Sequence, residues 1–326
     1  MFEIFPKEIF VSSHILTLII SESIILFICF FAFLQALQIY SKWNFKSLSE
    51  TQYSLEKKSY FTTLAIYFVI FFKFLLFVFF ANSMDKLSSI MPGAMCGAGV
   101  VSANDFGMFV FVFKLIVIFL SICWITIHKA DLKRDYNYLK KKYFLFFVIF
   151  AFLVLEFVVQ MLYFSNLSFE TVVQCCSVIY GSSEVGSTLP FGLSKLLFLI
   201  LFFLIFVFLN FALFTNNNLF AFIFGILFFY FGYFFVIFIL GIYIYELPTH
   251  ICPFCMLQKE YFYVGYIVWL SLFMGSFFAI SNFVLMLFIH EIHESNFKIS
   301  LFFNFVLLAI SIYFIFGYYF KNGVWL

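Results

Sequence analysis

The densest chemistry in this chain is written at His250-Ile251-Cys252-Pro253-Phe254-Cys255-Met256-Leu257-Gln258-Lys259-Glu260. Two thiols three residues apart, with proline after the first, suit the opening turn of a helix. There the unpaired N–H groups and the helix dipole stabilise a thiolate and lower the thiol pKa. Such a pair cycles between dithiol and disulfide, supplies two soft metal ligands, or stands as a static bridge bracing a loop in an oxidising compartment. His250, two residues before Cys252, could assist thiolate formation or ligate a metal itself.

Five further cysteines surround this motif in sequence. Cys96 closes a similar string, Pro92-Gly93-Ala94-Met95-Cys96, and Cys175 and Cys176 are adjacent. A bridge between neighbours closes a strained eight-membered ring, so Cys175 and Cys176 are expected to face different partners. Cys29 and Cys123 lie within apolar runs and read as inert small apolar residues. Five loop thiols cannot all pair within one chain, so one stays free, binds a metal or links to another protein. Met95 stands beside Cys96 and Met256 beside Cys255. Thioether and thiolate together favour Cu(I) or another soft ion, with Cys96, Cys252, Cys255, Met95 and His250 as the ligand set. Methionine as plain apolar filling is the competing reading.

A second group is charged. Glu22, Lys73, Lys114 and Glu156 sit inside otherwise apolar runs, each about eight residues from one end, which is roughly 12 Å at 1.5 Å per residue. Two acids and two bases at one depth neutralise one another, either as a proton or ion relay or as ion pairs that fix helix register. His290-Glu291-Ile292-His293 lacks the spacing of a zinc hydrolase and reads as a solvated helix end. No phosphate loop, Ser-His-Asp set or paired-carboxylate signature is present, and a net charge of +2 gives no footprint for nucleic acid.

The elements that carry these residues are membrane spans. The chain is 65% hydrophobic and 10% charged with a mean hydropathy of +1.12, so a soluble fold could not cover its surface with polar groups. Its 60 phenylalanines stand where other membrane proteins use Leu or Val. About eight runs are long enough to cross ~30 Å of hydrocarbon, near residues 14–38, 60–82, 107–128, 143–164, 191–214, 219–244, 261–290 and 299–320. The first lacks a basic flank and a small-residue cleavage site, so it reads as a retained helix. Thr215-Asn216-Asn217-Asn218 makes the fifth and sixth spans a tight hairpin. The fold class expected is an all-α polytopic membrane protein of about eight helices.

Basic residues in the short loops set the expected orientation. One side receives Lys42, Lys46, Lys57, Lys58, Lys129, Lys133, Arg134, Lys140, Lys141, Lys142 and Lys298, the other only Lys7, Lys86, Lys259 and Lys321. The first side is then cytoplasmic in a bacterial-type inner membrane, and both termini are external. Cys96, Cys175, Cys176, Cys252 and Cys255 all fall on the external side. A shift of 156 carries Cys96 onto Cys252 and the span 143–164 onto 299–320. That offset suggests two parallel four-helix repeats related by an axis along the membrane normal: residues 1–164, an external Cys-Cys loop at 165–190, and residues 191–326.

Over about ten residues, Cys252, Cys255, Gln258 and Lys259 resemble the motif of membrane disulfide-forming oxidoreductases of the DsbB and vitamin K epoxide reductase group. The resemblance implies a quinone-coupled thiol oxidase built on four-helix bundles. The leading expectation is therefore thiol–disulfide exchange at the external face, with Cys252 and Cys255 as the exchanging pair and Cys96, Cys175 and Cys176 as relay thiols. A periplasmic thiol protein would be its partner and a quinone its electron acceptor. The alternatives are a protein that binds or transports copper or mercury through the same cysteines, served by a metal carrier, and a structural subunit of a larger membrane complex.

Overall fold

A computed structural model describes residues 12–44, 49–133, 137–169, 172–173, 189–289 and 294–326. Among these there is no β-strand. Eight helices are long and apolar enough to cross a membrane, and the chain is an all-α polytopic membrane protein. The helices are α1 (Ser13–Lys42), α2 (Glu50–Ser88), α4 (Phe106–Lys133), α5 (Leu139–Ser165), α6 (Lys195–Phe214), α7 (Asn218–Tyr245), α8 (Val264–Ile289) and α9 (Glu294–Asn322), with a short α3 (Gly97–Val101) between the second and third spans. Exposed Phe27, Phe61, Phe71, Phe109, Phe211 and Phe302 lie on outward faces of these helices, as lipid contact requires.

The chain divides into two compact units. Unit 1 takes Met1–Ser83 and Val101–Phe169, and unit 2 takes Met84–Val100 and Glu170–Leu326. This differs from a simple split of the chain into halves, because the last turn of α2 and the Cys96 loop belong with the later helices. The cause is packing: the Cys96 loop meets the Cys252 loop at close range, as described below.

In unit 1, α4 and α5 form an antiparallel pair and α1 packs on α5. Ion pairs within this unit replace part of the apolar seam. Lys142 was counted above with the loop cations, and the structure corrects that assignment. Its side chain is fully buried, with Nζ 3.1 Å from Asp131 Oδ2 and 3.4 Å from His128 Nδ1. Helix α5 begins three residues earlier than Lys142, so that residue points inward and is neutralised where a loop lysine would reach water. Cys29 and Cys123 are buried in α1 and α4, as inert apolar residues should be.

In unit 2, α7 packs between α6 and α8, and α9 packs on α8 and α6. The hairpin between α6 and α7 follows from its asparagines. Asn216 adopts a left-handed conformation (φ 54) after Thr215, and the amides of Asn217 and Asn216 return to the Ala212 and Leu213 carbonyls, which closes α6 by a Schellman turn. The Asn217 side chain then caps α7 by accepting from Phe220 N. Buried amides and hydroxyls join the remaining helices: Asn304 donates to Asn210, Asn296 to Ser281 and Asn282, and Ser300 to the Gly275 carbonyl. Such bonds favour helix association where no hydrophobic effect drives it.

Candidate functional site

Two loops of unit 2 carry the site. The first leaves α2 at Ser88, turns at Gly93 (φ 82) and delivers Cys96 immediately before α3. The second leaves α7 at Glu246, a left-handed residue (φ 54) that stops the helix, and carries Cys252 and Cys255 back to α8.

Their sulfurs converge. Cys96 Sγ lies 3.4 Å from Cys252 Sγ, and the thiols of Cys96, Cys252 and Cys255 all lie within 4.8 Å of one another. The three side chains are 0%, 1% and 6% exposed. An S–S bond is about 2.05 Å long, so the Cys96 and Cys252 sulfurs are in contact and not bonded to each other.

Several groups hold the loops in this register. Tyr245, in the last turn of α7, donates its hydroxyl to the Cys252 carbonyl and accepts from the Met256 amide at 3.0 Å. One phenol thereby ties down both ends of the Cys-Pro-Phe-Cys segment. Trp269 Nε1 donates to the Pro253 carbonyl at 3.0 Å. Gln258 crosses to the other loop, where its Nε2 donates to Asp85 Oδ1 at 2.7 Å. Gly97 allows a close approach where the loops meet, since a Cβ there would stand 3.0 Å from Asp85 N and 3.1 Å from Phe254 Cδ1, tighter than an ordinary contact.

The local backbone corrects one expectation. Cys252 and Cys255 do not open the membrane helix. Cys255–Leu257 is a single 3-10 turn, Gln258 returns to extended backbone (φ -82, ψ 161), and Phe262 and Tyr263 are left-handed. Helix α8 starts only at Val264, nine residues past Cys255. The field of a helix terminus fades within its first turn, so it does not act on these thiols. The opposite influence operates at Cys255. Hydrogen bonding to the neighbouring Cys252 and Cys96 thiols, with burial added, pushes the Cys255 thiol well above the usual range.

The other sequence candidates separate. His250 is partly exposed, and its ring meets the Tyr245 ring edge-on with centroids 4.4 Å apart. Its Nε2 is buried without a hydrogen-bond partner among the described residues, and burial lowers its pKa. It stands outside the compact three-sulfur group. The Met95 side chain is 72% exposed, so it does not share the burial of the three thiols that it was expected to join as a ligand. Met256, by contrast, is fully buried against Gly265. Cys175 and Cys176 lie outside the described residues, as do His290 and His293.

The buried charges of unit 1 form a closed quartet. Lys73 Nζ reaches Glu22 Oε2 at 2.7 Å and Glu156 Oε1 at 2.6 Å, while Lys114 Nζ reaches Glu22 Oε1 at 2.8 Å and Glu156 Oε1 at 2.7 Å. All four side chains are at most 5% exposed. Four helices, α1, α2, α4 and α5, each supply one member.

No family model, no curated protein and no solved structure matches the chain.

Tyr245, Asp85 and Trp269 are site residues that motif reading missed, whereas Gln258 was read as part of the cysteine motif but not as a brace to Asp85. Tyr245, Asp85 and Trp269 sit in no recognisable pattern.

Proposed function

We propose that this membrane protein captures a thiophilic metal ion or metalloid at Cys96, Cys252 and Cys255. The observation that carries the reading is the convergence of three buried sulfurs from two loops within 4.8 Å. A central atom bonded at ~2.3 Å to three coplanar thiolates needs sulfurs about 4.0 Å apart, and this group requires only small adjustment to meet that. Hydrogen bonding from Cys252 and Cys96, with burial added, disfavours an unshared thiolate at Cys255. A bound electrophile shared by all three sulfurs takes up that thiolate charge. Burial supports the reading further, because an ion can enter where a folded protein's disulfide could not reach the sulfurs. The excess of basic residues in the opposite loops supports an external position for the site in a bacterial-type inner membrane.

A second reading, thiol–disulfide exchange, is favoured by the 3.4 Å approach of Cys96 and Cys252. Here a Cys96–Cys252 or Cys252–Cys255 disulfide would alternate with a free third thiol, and a quinone or a partner thiol protein would carry the electron pair away.

Elemental analysis of the purified protein, combined with a count of alkylatable thiols, separates the readings. Ion capture predicts about one thiophilic atom per chain, with Cys96, Cys252 and Cys255 protected until it is stripped. An ion-free protein in which two of the three are oxidised would support exchange and remove the ion reading.

A further inference from the structure

We infer that the three-cysteine site is matched to a trivalent metalloid of the arsenite or antimonite class, in preference to a monovalent or divalent soft ion. The inference rests on the ion-capture reading and deepens it by naming the class of guest.

Charge decides the class. Three thiolates around a monovalent ion carry a net charge of minus two, and around a divalent ion minus one. Around a trivalent centre the complex is neutral. A net charge among side chains that are 0–6% exposed is expensive unless a counter-charge is buried beside it. Among the described residues of unit 2 no lysine is buried, since Lys86, Lys195, Lys259, Lys298 and Lys321 are all exposed, and the His250 imidazole stands outside the three-sulfur group. The loops instead bring further negative groups, Asp85 bonded to Gln258 and Glu260 two residues beyond it. Unit 1 buries Lys73 and Lys114 against two carboxylates, so this chain does place lysines inside a bundle where charge demands them. Among the described residues of unit 2 it buries no lysine at the sulfurs.

Geometry agrees. A trivalent centre with a lone pair is pyramidal, and its angles near a right angle draw the sulfurs closer than the about 4.0 Å of a planar site with ~2.3 Å bonds. The Cys96 and Cys252 sulfurs are already 3.4 Å apart. Three donors also complete the shell of such a centre, so neither the exposed Met95 nor the outlying His250 is required.

The chemistry balances without an oxidant or reductant. Neutral arsenous acid, As(OH)3, meets three thiols. Three S–H and three As–O bonds break, three S–As bonds form, and each thiol proton leaves with a hydroxide as water. Arsenic remains trivalent and each sulfur remains at the thiolate level.

The test uses the reduced full-length protein in detergent, incubated with arsenite and weighed intact. A Cys175→Ser/Cys176→Ser variant serves in parallel, so that arsenic on the adjacent pair cannot be mistaken for the site. The expected gain in that variant is one arsenic less three hydrogens, with Cys96, Cys252 and Cys255 all protected from alkylation. Each of Cys96→Ser, Cys252→Ser and Cys255→Ser, made in that background, should lower the arsenic retained on desalting by about tenfold, roughly 1.4 kcal/mol of binding. The residual adduct should keep a hydroxyl on arsenic. Copper(I) loaded in the same way should protect two thiols and leave the third reactive, since a third thiolate adds unneutralised charge. Copper(I) or zinc(II) protecting all three while arsenic holds only two would overturn the inference and leave ion capture standing. If none of the three guests protects these thiols, both readings fall.

Discussion

Cys96 Sγ and Cys252 Sγ lie 3.4 Å apart although 156 residues separate them in the chain. Contraction by roughly 1.3 Å would reach the S–S bonding distance of about 2.05 Å. Mild oxidation of the ion-free protein should therefore produce a Cys96–Cys252 bridge, read as a cross-linked pair of peptides by mass spectrometry. Recovery of a Cys252–Cys255 bridge alone would show that the two loops do not hold their sulfurs in contact. A bound thiophile should block the bridge, because all three sulfurs are then engaged.

Gln258 is the cross-brace between the loops, through its 2.7 Å bond to Asp85. Gln258→Ala removes that bond and leaves the sulfurs in place but less firmly positioned. A hydrogen bond of this kind contributes about 1.5–3 kcal/mol when one partner is charged. Affinity for the guest should fall by roughly tenfold, equivalent to ~1.4 kcal/mol, with stoichiometry unchanged in a calorimetric titration. A drop in stoichiometry instead would mean that Gln258 holds the loop's fold and not merely its position.

Tyr245→Phe tests the other anchor. The variant keeps the ring contacts with His250 and Tyr261 but leaves the Met256 amide and the Cys252 carbonyl without the phenol that joins them. A buried donor left unmade costs ~1–3 kcal/mol. Thermal unfolding should shift downward, and alkylation of Cys252 should quicken. Unchanged alkylation would place the loop's restraint at Trp269 and Gln258.

Some of this was legible in the sequence and some was not, and the difference is physical. Helix rise converts residue number into depth, so Glu22, Lys73, Lys114 and Glu156 could be put at one level by counting, and the structure joins them in one quartet. Matching strings ending in Cys96 and Cys252 marked two loops that the fold brings together. The helix start at Cys252 was misread because Cys-Pro-x-Cys fits a helix's first turn equally well as a 3-10 turn. The choice was made farther along, by the left-handed Phe262 and Tyr263. Tyr245, Asp85 and Trp269 were illegible because each acts across a loop, where partner choice depends on packing and no periodicity records it. Lys142 was misplaced for a related reason: a charge at a helix end faces water or protein according to the neighbouring helix, here Asp131 and His128 on α4.

The raised Cys255 thiol gives the ion-free protein a characteristic response to alkali. Its folded state holds the proton more tightly than the unfolded chain, whose thiol titrates near ~8.5. The stability this supplies is complete below that value and is lost as pH rises toward the folded pKa. Melting temperature should therefore decline above about pH 8.5, more steeply for the native protein than for Cys255→Ser. Parallel declines would assign the alkaline sensitivity to other groups. Guest binding should abolish the difference, since the thiol proton is gone from the bound state.

The quartet in unit 1 yields the sharpest stability test. Glu22 engages one lysine with each oxygen, whereas Glu156 takes both lysines on Oε1 and leaves Oε2 without a partner among the described residues. Removing either carboxylate strands two buried ammonium groups on a single acid. Glu22→Gln and Glu156→Gln should each destabilise the protein by ~3–5 kcal/mol, the usual cost of breaking a buried pair. Replacing all four, with Leu for the acids and Met for the lysines, removes the charges together with their desolvation cost. If the quartet is a structural lock, the quadruple variant should regain most of the loss, because matched apolar groups commonly substitute for buried ion pairs. A quadruple variant that melts normally yet no longer functions would instead assign the quartet to the protein's activity. A variant as unstable as the single substitutions would mean that the charges specify how α1, α2, α4 and α5 pack, through geometry that apolar side chains of similar volume do not reproduce.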